Sequence, residues 1–195
     1  GYDYSTVYAP AYEAVLADPA GYSFSDSPFE PAFVLLEKMI AWCTPNFQML
    51  FAVTSYLIVG LLTAFYWKYS ANAAMSVLLF LLLSQYYCTM NFIRQSIAGA
   101  IALFALPFLK RRRFLPCLLL ILLAACFHQS ALILIPASLF CLLPFNRWTL
   151  AVYLFGAAAF YLVSPQLLAL VTRYWYTDYP LASPHMTAAL EWPFT

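Results

Sequence analysis

Charge is what this sequence has least of. Only 9% of its 195 residues are Asp, Glu, Lys or Arg, against about 25% in an ordinary globular chain. Hydrophobic residues make up 65%, more apolar surface than a soluble domain of this length can hide. The net charge of +1 excludes bulk electrostatic attraction to nucleic acid. No phosphate loop, dinucleotide fingerprint, H-E-x-x-H or other metal-spaced cluster occurs, so the usual signatures of nucleotide and metal chemistry are missing. The five cysteines, Cys43, Cys88, Cys117, Cys126 and Cys141, form no CxxC pair and have no histidine clustered near them. They read as small membrane-core residues rather than metal ligands or disulfides. No signal-peptide pattern is present, and a chain that begins at Gly1 rather than Met reads as a fragment of a longer multi-pass protein.

What is there is a series of apolar runs. They predict an all-α, multi-pass integral membrane protein in one membrane domain, with about six membrane helices plus interfacial amphipathic helices. Residues 1–46 form an external or interfacial segment, with a short helix at 6–17. An amphipathic helix follows at 29–43, whose apolar face (Phe33, Leu36, Ile40) is interrupted by Glu37 and Lys38. Membrane helices are expected at about 47–67, 71–90, 91–109, 114–127, 130–144 and 148–163. The last segment, 164–195, is aromatic and Pro-rich. Basic residues favour cytoplasmic loops. Placing Lys110-Arg111-Arg112-Arg113 inside brings Lys68 and Arg147 inside by parity, six of the nine Lys and Arg in all. The outer side then receives all eight acids, together with the segment around Asn91 and the break at His128.

Three places carry chemistry. Arg94 is alone between Ala71 and Leu109, where there is no other Asp, Glu, Lys, Arg or His. An arginine at mid-bilayer depth costs about 2.5–3.5 kcal/mol to insert, so it calls for an anion, a water cavity or a partner carboxylate. In a helix, Asn91, Arg94 and Gln95 share one face. An arginine flanked by amides suits a phosphate or carboxylate oxyanion. The alternative is an arginine snorkelling to the headgroups. His128, in Phe127-His128-Gln129-Ser130, is either a general base at the wall of a wet cavity or a polar turn residue bonded to backbone. Asp3, flanked by Tyr2 and Tyr4, is either a base or sugar-binding carboxylate or a solvated loop acid.

Asn91-x-x-Arg94-Gln95-Ser96-Ile97-Ala98, the basic loop after that helix, and Phe127-His128-x-Ser130-Ala131-Leu132 resemble the EpsG family. So do the opening Gly1-Tyr2-Asp3-Tyr4 and the pair Glu30-Pro31. These are Wzy-like bacterial exopolysaccharide or O-antigen polymerases, multi-pass proteins of the inner membrane. The resemblance covers about residues 1–145. It implies polymerisation of polyprenyl-diphosphate-linked repeat units at the periplasmic face, a glycosyltransferase reaction that needs no cofactor and no metal. It further implies contact with a chain-length regulator or other polysaccharide-assembly proteins. The resemblance would assign Arg94 to the diphosphate, Asn91 and Gln95 to its support, His128 or Asp3 to the base, and Tyr2, Tyr4 and Tyr8 to sugar faces. Two rival readings are a membrane O-acyltransferase that modifies glycans and a transporter or flippase of lipid-linked sugars.

Overall fold

The structure, a computed structural model, describes residues 7–25, 27–144 and 146–175. All regular structure among the described residues is helical. Two compact units divide the chain, Gly1–Leu142 and Leu143–Thr195.

The first unit opens with two helices that lie outside the apolar spans, α1 (Ala9–Ala17) and α2 (Pro31–Cys43). Both begin with proline in the first turn, where the missing N–H costs nothing and the fixed φ suits a helix. Tyr12 is fully buried between them and its hydroxyl donates to the Thr44 carbonyl at 3.0 Å. Tyr8, Phe29 and Phe33 stack their rings at centroid distances of 5.4 to 5.8 Å. The amphipathic reading of 29–43 is therefore met by a helix with Phe33, Val34 and Ile40 inward. Glu37, which the pattern treats as an interruption, is inward as well and 0% exposed.

The long apolar runs follow. Helix α3 (Gln48–Tyr69) buries Leu50, Thr54, Ile58 and Leu62, a stripe at four-residue spacing with the remaining faces left for lipid. Next come α4 (Ala73–Leu82) and α5 (Gln85–Asn91), which bend by 65° where one straight crossing is expected. Ser84 sits at that bend with φ 57°, a left-handed conformation that no continuous helix tolerates. Helices α6 (Ile93–Leu103) and α7 (Leu106–Lys110) make up one apolar span. Pro107 accounts for the interruption between them, because it lacks the N–H that the preceding turn needs. Helix α8 (Phe114–Ala125), a 3-10 turn at Gln129–Ile133 and α9 (Leu134–Cys141) complete the unit.

The second unit contributes α10 (Arg147–Trp175). It runs through Pro165 and past the expected end at 163.

All six expected membrane segments are thus helical. Three of them, Gln48–Tyr69, Ile93–Lys110 and Arg147–Leu167, are long and apolar enough to cross a bilayer. The bent α4–α5 pair makes a fourth if it is one span, and Phe114–Ala125 and Gln129–Cys141 are shorter than a crossing.

One packing feature positions the site. Ala98 and Ala102 of α6 bury against Ala124 of α8 and Ala131 of the 3-10 turn. Such small side chains let helix backbones approach closely in a membrane. Arg94 lies one turn before Ala98, and His128 lies four residues after Ala124. The alanine seam therefore brings the two costly polar residues to the same end of the bundle.

Candidate functional site

The two residues meet at a third. Glu30 precedes Pro31, and a residue before proline is pushed to extended backbone. It adopts φ −69°, ψ 150° as the N-cap of α2. A backbone hydrogen bond from Ala32 N–H to the Cys126 carbonyl, 3.0 Å, fastens this helix start to the end of α8. The carboxylate is thereby placed between α6 and the His128 turn. Oε2 accepts from Arg94 Nη1 at 2.5 Å. Oε1 lies 2.9 Å from His128 Nδ1 and accepts the Gln129 backbone N–H at 3.1 Å. The three side chains are only 10% (Glu30), 22% (Arg94) and 23% (His128) exposed, so water screens the pairing little.

The protonation pattern follows from these partners. Burial pushes the Glu30 carboxyl up, but the Arg94 charge and the hydrogen bonds it accepts outweigh this, leaving it below the usual carboxylate value. An ionised carboxylate only accepts hydrogen bonds. His128 Nδ1 therefore carries a proton toward Glu30, and in the neutral ring Nε2 is the open lone pair. His128 itself has extended backbone (φ −157°, ψ 115°) between α8 and the 3-10 turn, held by its N–H to the Ala124 carbonyl at 3.0 Å. Of the two readings open in the sequence, the turn residue and the potential base are one and the same.

Arg94 answers its burial cost in three ways. It pairs with Glu30, it stacks over the Phe29 ring at 4.4 Å, and it lines a cavity of about 100 Å³. The other walls of that cavity are Tyr8, Asn91, Phe92, Gln95 and His128. Its Nε is buried without a hydrogen-bond partner. Asn91 and Gln95 are exposed amides at the same cavity. They do not share a continuous helix, however: α5 ends at Asn91 and α6 begins at Ile93, with Phe92 at φ −111°, ψ 57° between them. The break, rather than helical spacing, puts Asn91 beside Arg94. A larger cavity of about 470 Å³ lies against Phe29, Glu30, Leu122 and Gln129.

Tyr8 is 5% exposed and packs among Phe29, Phe33 and Phe51 while also lining the small cavity. Asp3, Tyr2 and Tyr4 lie outside the described residues. Two acids are new as site residues. The pattern of residues draws attention to Glu30 only as part of Glu30-Pro31, although a lone intramembrane arginine already asks for a counter-charge. Glu37 lies two turns further along α2 with both carboxylate oxygens buried and unpartnered. Burial pushes it up to about 8, with Arg94 pulling partly the other way, which favours its neutral form near pH 7.

A family model described as the EpsG family matches residues 1–183. No curated protein and no solved structure matches the chain.

Proposed function

Since this chain belongs to the EpsG family, membrane proteins of polysaccharide biosynthesis, we propose that it polymerises polyprenyl-diphosphate-linked oligosaccharide repeat units for exopolysaccharide or O-antigen. A hydroxyl of the acceptor glycan attacks the anomeric carbon of the donor. The new C–O bond forms as the bond from that carbon to the lipid diphosphate breaks, and the diphosphate leaves with the electron pair. The hydroxyl proton passes to His128 Nε2.

The observation that carries this reading is the Glu30 carboxylate held between Arg94 and His128. A base whose far nitrogen donates to a fixed carboxylate keeps one tautomer, and its protonated form is stabilised as the proton arrives. Arg94 keeps guanidinium donors beyond the one given to Glu30 and turns them to the leaving diphosphate. Asn91 and Gln95 complete its shell. The 100 Å³ cavity is the volume of about three waters, enough for one phosphoryl group. The sugars and the polyprenyl chain lie outside it, with the larger cavity at Glu30 and Gln129 as the adjacent space. Tyr8 shapes the wall of the phosphoryl pocket, while Tyr2 and Tyr4 offer ring faces to sugars.

The reaction belongs at the periplasmic face of the bacterial inner membrane. Support comes from the basic residues Lys68 and Lys110–Arg113, which end two spans, while Arg94 begins the second of them. Replacing His128 by Ala in cells that depend on this protein, with its level matched to wild type, tests the assignment. Polymer is expected to collapse to single repeat units. Full-length polymer would overturn it.

A further inference from the structure

The end of the bundle farthest from Arg94 has a different chemistry. Arg94 lies in the first turn and Lys110 at the end of the span Ile93–Lys110. There α7, α8 and α9 enclose an apolar slot of about 120 Å³ whose walls include Ala102, Cys117, Ile121 and Ala137. Three of its residues, Leu106, Leu109 and Cys141, are also walls of a wider cavity of about 320 Å³ that is bounded by Lys110 and Arg112. Hydrocarbon surface thus leads directly to two cations.

Those cations lack counter-charges. Among the described residues Lys110, Arg111, Arg112 and Arg113 make no ion pair, and the only acid in ion pairs, Glu30, serves Arg94 and His128. The other described acids are Glu13, Asp18 and Glu37, all in or beside the first two helices. A loop that served only to set orientation needs its charges. It needs no apolar slot opening onto them.

We propose that this cavity binds an anionic phospholipid. A length of acyl chain occupies the slot at Ala102, Cys117 and Ala137, and the headgroup phosphate sits between Lys110 and Arg112. The occupant follows from charge complementarity joined to the apolar slot: one molecule must supply both an anion and a hydrocarbon chain. The site is separate from the Glu30 cluster, so its failure leaves the reading of that cluster untouched.

Native mass spectrometry on the delipidated full chain, titrated with phosphatidylglycerol or phosphatidylcholine, tests this. Phosphatidylglycerol is expected to bind about tenfold more tightly, as two cations near an anionic headgroup allow. K110A/R112A abolishes the preference. R113A, at a residue outside the cavity wall, retains it. Ala137→Trp, which fills the slot from an exposed position, weakens phosphatidylglycerol with the charges intact. Equal affinity for the two lipids overturns the proposal. So does equal loss of preference in R113A, which marks bulk charge, or unchanged binding in Ala137→Trp, which removes the slot. Displacement of the lipid by millimolar inorganic diphosphate likewise overturns it, by showing an anion site without a lipid one. Melting temperatures of the variants confirm that each is folded.

Discussion

Glu30 Oε1 and His128 Nδ1 are 2.9 Å apart although 98 residues separate them in the chain. The other oxygen of the same carboxylate holds Arg94. A helix start, a bundle helix and a turn are therefore joined through one side chain, and the consequences can be measured.

The three groups should behave as a unit. Replacing Glu30 by Gln leaves Arg94 partly buried without its counter-charge, and replacing Arg94 by Gln does the reverse to Glu30. A double-mutant cycle on thermal unfolding should give a coupling energy of about 1–3 kcal/mol. Simple additivity of the two variants contradicts the pairing.

The pH response of Glu30 has a definite sign. Its folded value lies below the unfolded one, so the stabilisation it gives is present above the unfolded value of about 4.3. It is lost as pH falls through the depressed folded value. Wild type should therefore lose stability relative to Glu30→Gln only as pH falls from about 4.3 to the depressed folded value, with no further change below it. A difference between the two that vanished already between pH 7 and 5 contradicts the depressed value.

Glu37 should respond in the opposite direction. Its folded value is raised to about 8 from 4.5, so the native state holds a proton that the unfolded chain gives up across that window. Stability from this group falls as pH rises from about 4.5 to 8. Glu37→Gln, which keeps the shape and removes the ionisation, should leave the melting temperature unchanged near pH 4.5. It should raise stability at pH 7 by about 3 kcal/mol, the equivalent of the 2.5 units between 4.5 and 7. An equal effect at both pH values points to packing instead.

The alanine seam should set the geometry of the site without touching it. Ala124 is 0% exposed against Ala98 and Ala102. Enlarging it to Leu overpacks the α6–α8 contact at a cost of about 1–3 kcal/mol. It also moves His128 relative to Arg94, and an ångström of misplacement can cost about 10²-fold in rate. Polymer synthesis should fall by at least that factor while circular dichroism shows the helices retained. Unaltered polymer in a folded Ala124→Leu protein would mean that the seam does not position the site.

How much of this was legible depends on range. The membrane class and the helical character of the apolar runs follow from run length and from where charge stops each run. Breaks inside the runs do not show in hydropathy. The bend at Ser84 is such a backbone event within uniformly apolar sequence, whereas the break at Phe92 lies beside the 90/91 boundary that the length of the 71–109 run already requires. Helix α10 outlasts its expected end because Pro165 lies within the helix rather than stopping it. Arg94 and His128 stand out because polar groups are expensive where they sit. Glu30 does not, since an acid before proline at the start of an amphipathic helix looks like any helix start. Its two partners are 64 and 98 residues away. Glu37 looks like a break in an apolar face because one residue's charge says nothing about burial.

The role of the Glu30 carboxylate is tested most directly by the polymer length made in cells by Glu30→Gln at wild-type protein level. The substitution preserves volume and removes only the charge that fixes the His128 tautomer and pairs Arg94. Polymerised product should fall by about 10²-fold or more, the scale of a general base, with single repeat units accumulating. Wild-type polymer from a stable Glu30→Gln protein would contradict that role.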